Sequence, residues 1–204
     1  LFKSAIALVG LGAYLSILIN IDAGLTKYVA VTFLALILFL NILGVKKVGK
    51  VQIFIVSISL ISLALILMFG IPRTSAELLD PFMTEGNLGL FSTVAFVYIS
   101  YAGVTKVAAI AGEIKNPGTN LPLAMILSLF IMTVIYVSVA FVLVGNLPLG
   151  ELKTDIKPIY SIAKLLGGNY VGYIASVVGI ITLISMANSG VLAASRFPFV
   201  IAID

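Results

Sequence analysis

Three sets of residues in this chain have types and spacing suited to chemistry. The first is Ser100-Tyr101-Ala102-Gly103-Val104, where small and hydroxylated residues interrupt an apolar helical stretch. That stretch resumes through Thr105, Lys106 and Glu113 and stops at Asn116-Pro117, as proline geometry requires. Unwinding a helix frees backbone N–H and C=O groups and places partial positive charge at the new N-terminus. A zwitterion fits such a place, its carboxylate on the amides and its ammonium on the carbonyls. Gly103 permits the backbone excursion, and Ser100 and Tyr101 offer hydroxyls. A second reading of the same residues is a tight helix crossing, because small residues let helices approach closely in membranes.

The second set is hydroxylic: Ser57, Ser59 and Ser62 in one apolar segment, and Thr182, Ser185 and Ser189 along one face of another. Such hydroxyls can meet an ion or a polar ligand, or simply bond the preceding carbonyls of their own helix. The third set is Lys106 with Glu113, about two turns apart. An ammonium at the depth of Lys106 is expensive unless it faces water or a partner. Its stem either snorkels to the cytoplasmic surface or the lysine lines an inner vestibule and titrates there.

The elements that must position these residues are membrane helices. Apolar residues make up 61% of the 204 positions and charged residues 10%, and the mean hydropathy is +1.24, far from soluble globular composition. Several runs reach the roughly 18 apolar residues of a spanning helix. Six spanning segments are expected, at about 4–20, 28–44, 51–71, 90–112, 122–145 and 170–195, all part of one membrane domain covering 1–204. The fifth begins at Pro122, a favoured first-turn residue, and a short helix is expected from Pro158 to Leu166. The loop with Lys46, Lys47 and Lys50 is purely basic, whereas Lys27, Arg73, Lys153, Lys157 and Lys164 lie among acidic residues. The basic loop therefore marks the cytoplasmic side. A broken helix crossing a bilayer survives only where protein or a water-filled cavity lines it, and secondary transporters bind their substrates at such breaks.

Several function classes fall away. Cysteine and histidine are absent, which removes disulfides, thiolates and imidazole as base or metal ligand. No aspartate lies inside a span, so an intramembrane hydrolase has no catalytic set. The net charge of +4 is modest and its lysines are scattered, so nucleic acid is not an expected partner. Nothing repeats as a pore loop or ring-forming charge would in a channel. Tryptophan is absent, leaving any interfacial belt to tyrosine. The chain starts within an apolar segment and shows no signal peptide, and it reads as an internal piece of a longer protein.

The run SYAGVTKVAAIAGEIKNPGTNLPLA resembles the sixth helix and following loop of the amino acid–polyamine–organocation permeases: Tyr101, Gly103, Glu113, Asn116, Pro117 and Pro122 occupy the family's pattern. GVKKVGKVQ, Gly44 to Gln52, resembles the loop before the fifth helix, and ANSGVLAASRFPFVIAID, Ala187 to Asp204, the end of the eighth. The resemblance spans the chain in order. It implies an all-α integral membrane protein, part of a leucine-transporter-like fold of inverted five-helix repeats, running from the end of the third helix through the eighth. It also implies a substrate site at Ile99, Ser100, Tyr101, Ala102, Gly103, Val104 and Thr105, held mostly by backbone groups. Ile99, Ala102 and Thr105 are uncharged, which leans toward neutral amino acids.

For coupling and gating the candidates are Ser59, Lys106, Glu113, Ser185 and Ser189. Ser59 stands where some proton-coupled members carry a lysine and others bind sodium, and no two hydroxyl residues of the eighth helix are adjacent as in sodium-coupled members. The implied function is therefore a permease moving amino acids by alternating access, as ion-coupled symporter or exchanger, multi-pass in the plasma membrane. No metal site or organic cofactor is implied, and the coupling ion would be H+ or Na+. A polyamine, organocation or other small-solute permease of the same fold, or a non-transporting membrane subunit, are the alternatives. The expected partners are an amino acid substrate and the lipid bilayer.

Overall fold

The computed structural model describes residues 2–19, 23–42, 48–80, 86–101, 103 and 114–201. The regular structure among the described residues is all helical, with no strands. In chain order they form α1 (Phe2–Ile19), α2 (Thr26–Ile42), α3 (Val48–Gly70), α4 (Gly86–Tyr101), α5 (Pro117–Asn146), α6 (Leu149–Leu152) and α7 (Pro158–Ile201). Short 3₁₀ turns, Ala23–Leu25, Ile71–Arg73 and Ala76–Leu79, lie between them. The stretches Val51–Arg73, Pro117–Asn146 and Pro158–Leu192 are each long and apolar enough to cross a membrane, while Ser4–Ile19 and Thr26–Phe39 are shorter apolar helices.

The long helix α7 is the hub. It covers 44 residues, but Gly168 sits at φ 78 and ψ −173 and bends it into two legs. That backbone region is essentially open to glycine alone, so the elbow is written into one residue. It falls between the short helix and the long apolar helix read from the sequence. Below the elbow, α7 packs on α1, α2 and α3. Ala7, Leu8 and Leu11 of α1 bury against Ile37 of α2 and Ala187 of α7. A second cluster gathers Ile66 of α3, Val142 of α5, Leu147, and Ile162, Ala163 and Ala175 of the two α7 legs. The tight α1–α7 crossing needs a small residue: a Cβ on Gly179 would stand 2.9 Å from the Tyr14 ring.

At the other end of α3 a side chain from α5 serves the helix terminus. The last carbonyls of a helix have no intrahelical donor. The Asn146 amide donates to the Gly70 carbonyl at 3.1 Å and to the Val142 carbonyl at 2.8 Å. The Ser75 N–H donates to the Gly145 carbonyl at 2.8 Å. The start of α7 is held by Asp155, whose carboxylate accepts the Lys157 N–H at 2.8 Å and the Ser161 hydroxyl at 2.5 Å.

Two helix starts differ most from the sequence reading: α4 begins at Gly86 rather than about 90, and α5 begins earlier as well. α5 starts at Pro117 rather than Pro122, and Pro122 lies inside the helix. Pro117 takes the first-turn role because its missing N–H is one of the helix's orphan donors anyway. Asn116 before it adopts the left-handed conformation, φ 48 and ψ 61, which asparagine tolerates better than most residues. Pro122 then forgoes only the bond to the Gly118 carbonyl, in the second turn of a 30-residue helix.

Candidate functional site

The first expected site lies at the C-terminal end of α4. The helix stops at Tyr101, and Gly103 lies in a turn. The Ser100 hydroxyl bonds back to the Phe96 carbonyl at 3.2 Å. Tyr101 reaches across to α5: its hydroxyl donates to Thr133 Oγ1 at 3.0 Å, and Thr133 in turn donates to the Leu129 carbonyl at 2.8 Å. The Tyr101 ring meets Tyr136 edge-to-face, centroids 5.4 Å apart at 67°, a favoured aromatic arrangement. Ile99 is 40% exposed. Ala102, Val104, Thr105, Lys106 and Glu113 lie outside the described residues.

Elsewhere α4 carries no buried residue. Leu88 is 85% exposed, Phe91 71% and Tyr98 79%. Among the described residues, Tyr101 is where this helix engages α5, and its apolar faces are otherwise bare.

The hydroxylic residues meet along the seam between α3 and α7. Ser59 Oγ and Thr182 Oγ1 are 2.6 Å apart. Each also lies within bonding distance of its own helix's carbonyl, Ile55 for Ser59 at 2.8 Å and Val178 for Thr182 at 2.7 Å. A hydroxyl has one hydrogen. The pair therefore has one hydroxyl donating across the seam while the other donates to its own turn. Two turns along, the Gln52 amide straddles Ser189, with Nε2 2.7 Å and Oε1 3.0 Å from the hydroxyl oxygen. Ser189 Oγ also lies 2.8 Å from the Ser185 carbonyl. A third link ties α2 to α7, Asn41 Nδ2 donating to Asn188 Oδ1 at 2.7 Å and to its own Ile37 carbonyl at 2.7 Å. Ser185 is buried and contributes its carbonyl to this seam. Of the coupling candidates, Ser59, Ser185 and Ser189 are thus brought onto one seam, with Thr182 as the partner of Ser59.

A cavity of about 210 Å³ opens beside the Ser59–Thr182 pair. Tyr14 of α1, Ser59 and Ser62 of α3, and Gly179 and Thr182 of α7 line it, so hydroxylated residues of three helices surround one small space. Among the described residues, no group of three or more histidine, cysteine, aspartate or glutamate side chains is placed to hold a metal ion. The seam's polar side chains, Gln52, Ser59, Thr182 and Ser189, are all uncharged.

Sequence reasoning meets Gln52 and Asn188 only inside the runs that carry the family resemblance, and passes over Asn41, Asn146 and Tyr14. A signal for the seam is present. Gln52 and Ser59 are seven residues apart, and so are Thr182 and Ser189. Polar residues repeating at the same heptad interval in two apolar helices mark faces able to pack antiparallel. Asn146 carries no comparable signal, because its partner Gly70 lies 76 positions away.

The sequence model described as amino acid permease matches residues 1–204, the entire chain. The serine/threonine exchanger SteT of Bacillus subtilis is 30% identical over 195 residues, covering 94% of this chain and 44% of that protein. The methylthioribose transporter of Bacillus subtilis is 30% identical over 161 residues, 79% of this chain and 35% of the relative. The branched-chain amino acid permease BcaP of the same organism is 25% identical over 202 residues, 96% and 43%. The chain thus spans less than half the length of these relatives.

Proposed function

The chain belongs to the amino acid permease family, and on that premise we propose that the protein carries amino acids across the plasma membrane as a secondary transporter. The observation that carries the reading is the family match over all 204 residues, on an all-helical chain with three helices able to span a bilayer. Transport follows alternating access, one bundle rocking against a scaffold so that a midplane site faces each side in turn. The packed assembly of α1, α2, α3 and the long leg of α7 suits the scaffold. The α4 end suits the moving bundle and its half of the substrate site. There the backbone from Ile99 through Thr105 binds the zwitterion, and Tyr101, braced by Thr133 and Tyr136, orients it.

Coupling runs through the seam in this reading. Ser59 and Thr182 supply two hydroxyl oxygens beside a small cavity, hard oxygen ligands of the kind alkali and alkaline-earth cations take. Neither hydroxyl titrates near neutral pH, so proton coupling would fall to Lys106 or Glu113. Sodium symport at the seam and substrate exchange without an ion are the two modes its chemistry favours.

A second reading of the substrate has one observation behind it, the 30% identity to a protein named for methylthioribose. A neutral non-amino-acid solute therefore joins the panel. The test is uptake by the full-length protein in proteoliposomes. Labelled serine, leucine, arginine, putrescine and methylthioribose are offered under a sodium gradient, a pH gradient, neither, or with preloaded substrate. The expected result is saturable amino acid uptake under the sodium gradient or with preloading. Uptake of methylthioribose alone would replace the substrate class. No uptake of any compound by folded protein would overturn the reading.

A further inference from the structure

A groove of about 520 Å³ runs between α3 and the elbow of α7. Its α3 wall is one helical face, from Ser62 through Leu65 to Phe69, continued by Arg73 in the 3₁₀ turn that follows. Across it stand residues on both sides of the elbow, among them Leu166, Val171 and Ile174. Ser62 and Arg73 are eleven positions apart, so at 1.5 Å per residue through α3 and about 2.0 Å through the 3₁₀ turn the groove is about 18 Å deep. That is a little over half of a hydrocarbon core roughly 30 Å thick, about the depth of a single leaflet.

The groove has a chemical polarity along its length. Between Ser62 at one end and Arg73 at the other, the α3 side of the groove is apolar, with Leu65, Ile66 and Phe69. Arg73 ends the 3₁₀ turn after α3, exposed, and donates one bond, Nη1 to the Leu166 carbonyl at 3.1 Å. Among the described residues no carboxylate pairs with it. Arginine has five N–H donors in a planar fork that matches phosphate. The bond to Leu166 fixes one edge of the fork at the elbow and leaves the other donors for a ligand. An apolar slot one leaflet deep, topped by an arginine with donors to spare, has the polarity of a phospholipid. Acyl chain below and phosphate above complement it in both shape and charge.

We propose that the α3–α7 groove is a binding site for an anionic phospholipid, with its acyl chain along Leu65 and Phe69 and its phosphate on Arg73. The inference rests on α3 and α7 crossing the membrane with this groove turned to lipid, and is independent of the transported substrate. Lipid occupancy would brace the elbow at Gly168, because the same guanidinium holds the Leu166 carbonyl two residues before it.

Tryptophan is absent from this chain, so a reporter can be placed in the groove. Leu65→Trp in the full-length protein is reconstituted in phosphatidylcholine vesicles containing brominated phosphatidylglycerol or brominated phosphatidylcholine. Quenching is read as the difference from the parent protein. The expected result is stronger quenching by the anionic lipid, a preference of about fivefold for one arginine at the interface. Arg73→Gln in the same background should abolish that preference while quenching by phosphatidylcholine remains. Ile174→Trp on the facing wall repeats the measurement if Leu65→Trp does not fold. Inorganic phosphate added to the vesicles separates a free-anion site from a lipid site, and in the lipid case it leaves the preference unchanged. Quenching by neither lipid would mean that a protein segment covers the groove and would overturn the proposal. Equal quenching by both, a preference that survives Arg73→Gln, or loss of the preference to free phosphate would each overturn it too.

Discussion

The seam between α3 and α7 and the end of α4 carry the same kinds of residue, serine, threonine or tyrosine in an apolar helix, yet they stand in opposite surroundings. Along the seam the hydroxyls find partners on another helix, Ser59 on Thr182 and Gln52 on Ser189. Their helices also contribute to the buried clusters around Ile66 and Ala187. Among the described residues α4 has none that is fully buried, and it meets α5 at Tyr101. Packing, not composition, separates the two regions. In a bilayer apolar side chains gain little from leaving lipid for each other, so association rests on close packing and interhelical hydrogen bonds. The seam has both along its length; in α4, Tyr101 has both, against Thr133 and Tyr136.

The largest test of this contrast deletes equal side chains from the two regions. Leu11 is fully buried in the α1–α2–α7 cluster and Leu88 is 85% exposed. Leu11→Ala should destabilise the full-length protein by about 2–5 kcal/mol, and Leu88→Ala by less than about 0.5 kcal/mol. Thermal unfolding in detergent reads both. Equal effects would show that α4 is buried as deeply as the scaffold in the whole protein.

A smaller loss is expected at the elbow. Valine at Gly168 would be forced into a φ of 78, at about 1–3 kcal/mol. The melting temperature should fall accordingly, and an unchanged value would mean that the elbow relaxes without strain. Asn146→Ala removes one of two side-chain donors to the Gly70 carbonyl, the Thr74 hydroxyl at 3.2 Å remaining, and should cost about 0.5–1.5 kcal/mol. Restoration of stability by Asn146→Gln would instead point to a bond indifferent to side-chain length.

The smallest change in stability, and the sharpest in function, belongs to the seam hydroxyls. Ser59→Ala with Thr182→Val removes one interhelical bond, about 0.6 kcal/mol by the average for membrane helices. The double variant should melt close to the parent while its ion dependence of uptake is lost. Retained ion dependence would reduce the pair to helix packing. On the α4 side, Tyr101→Phe keeps the ring contact with Tyr136 and removes the bond to Thr133. It should raise the KM for substrate with little change in stability.

Much of this molecule is legible in the order of its residues alone. An apolar fraction of 61% with 10% charge determines an all-helical membrane protein, because lipid offers backbone groups no partners and a helix satisfies its own. Gly103 and the hydroxyls before it stand where α4 ends at Tyr101, and the short helix read from Pro158 to Leu166 stops just before the Gly168 bend of α7. The SYAG and NPG motifs point to the family on which the match over the whole chain agrees. These features are local: each depends on residues within a turn or two of one another. What the tertiary structure alone decided is which polar groups face each other. Ser59 finds Thr182 across 123 positions, Asn41 finds Asn188 across 147, and Asn146 closes the end of α3 across 76. Uniformly apolar helices carry little amphipathic pattern to say which face turns inward. The choice of face is made when helices meet, by the fit of small residues against large ones and by the few hydrogen bonds that such contacts allow.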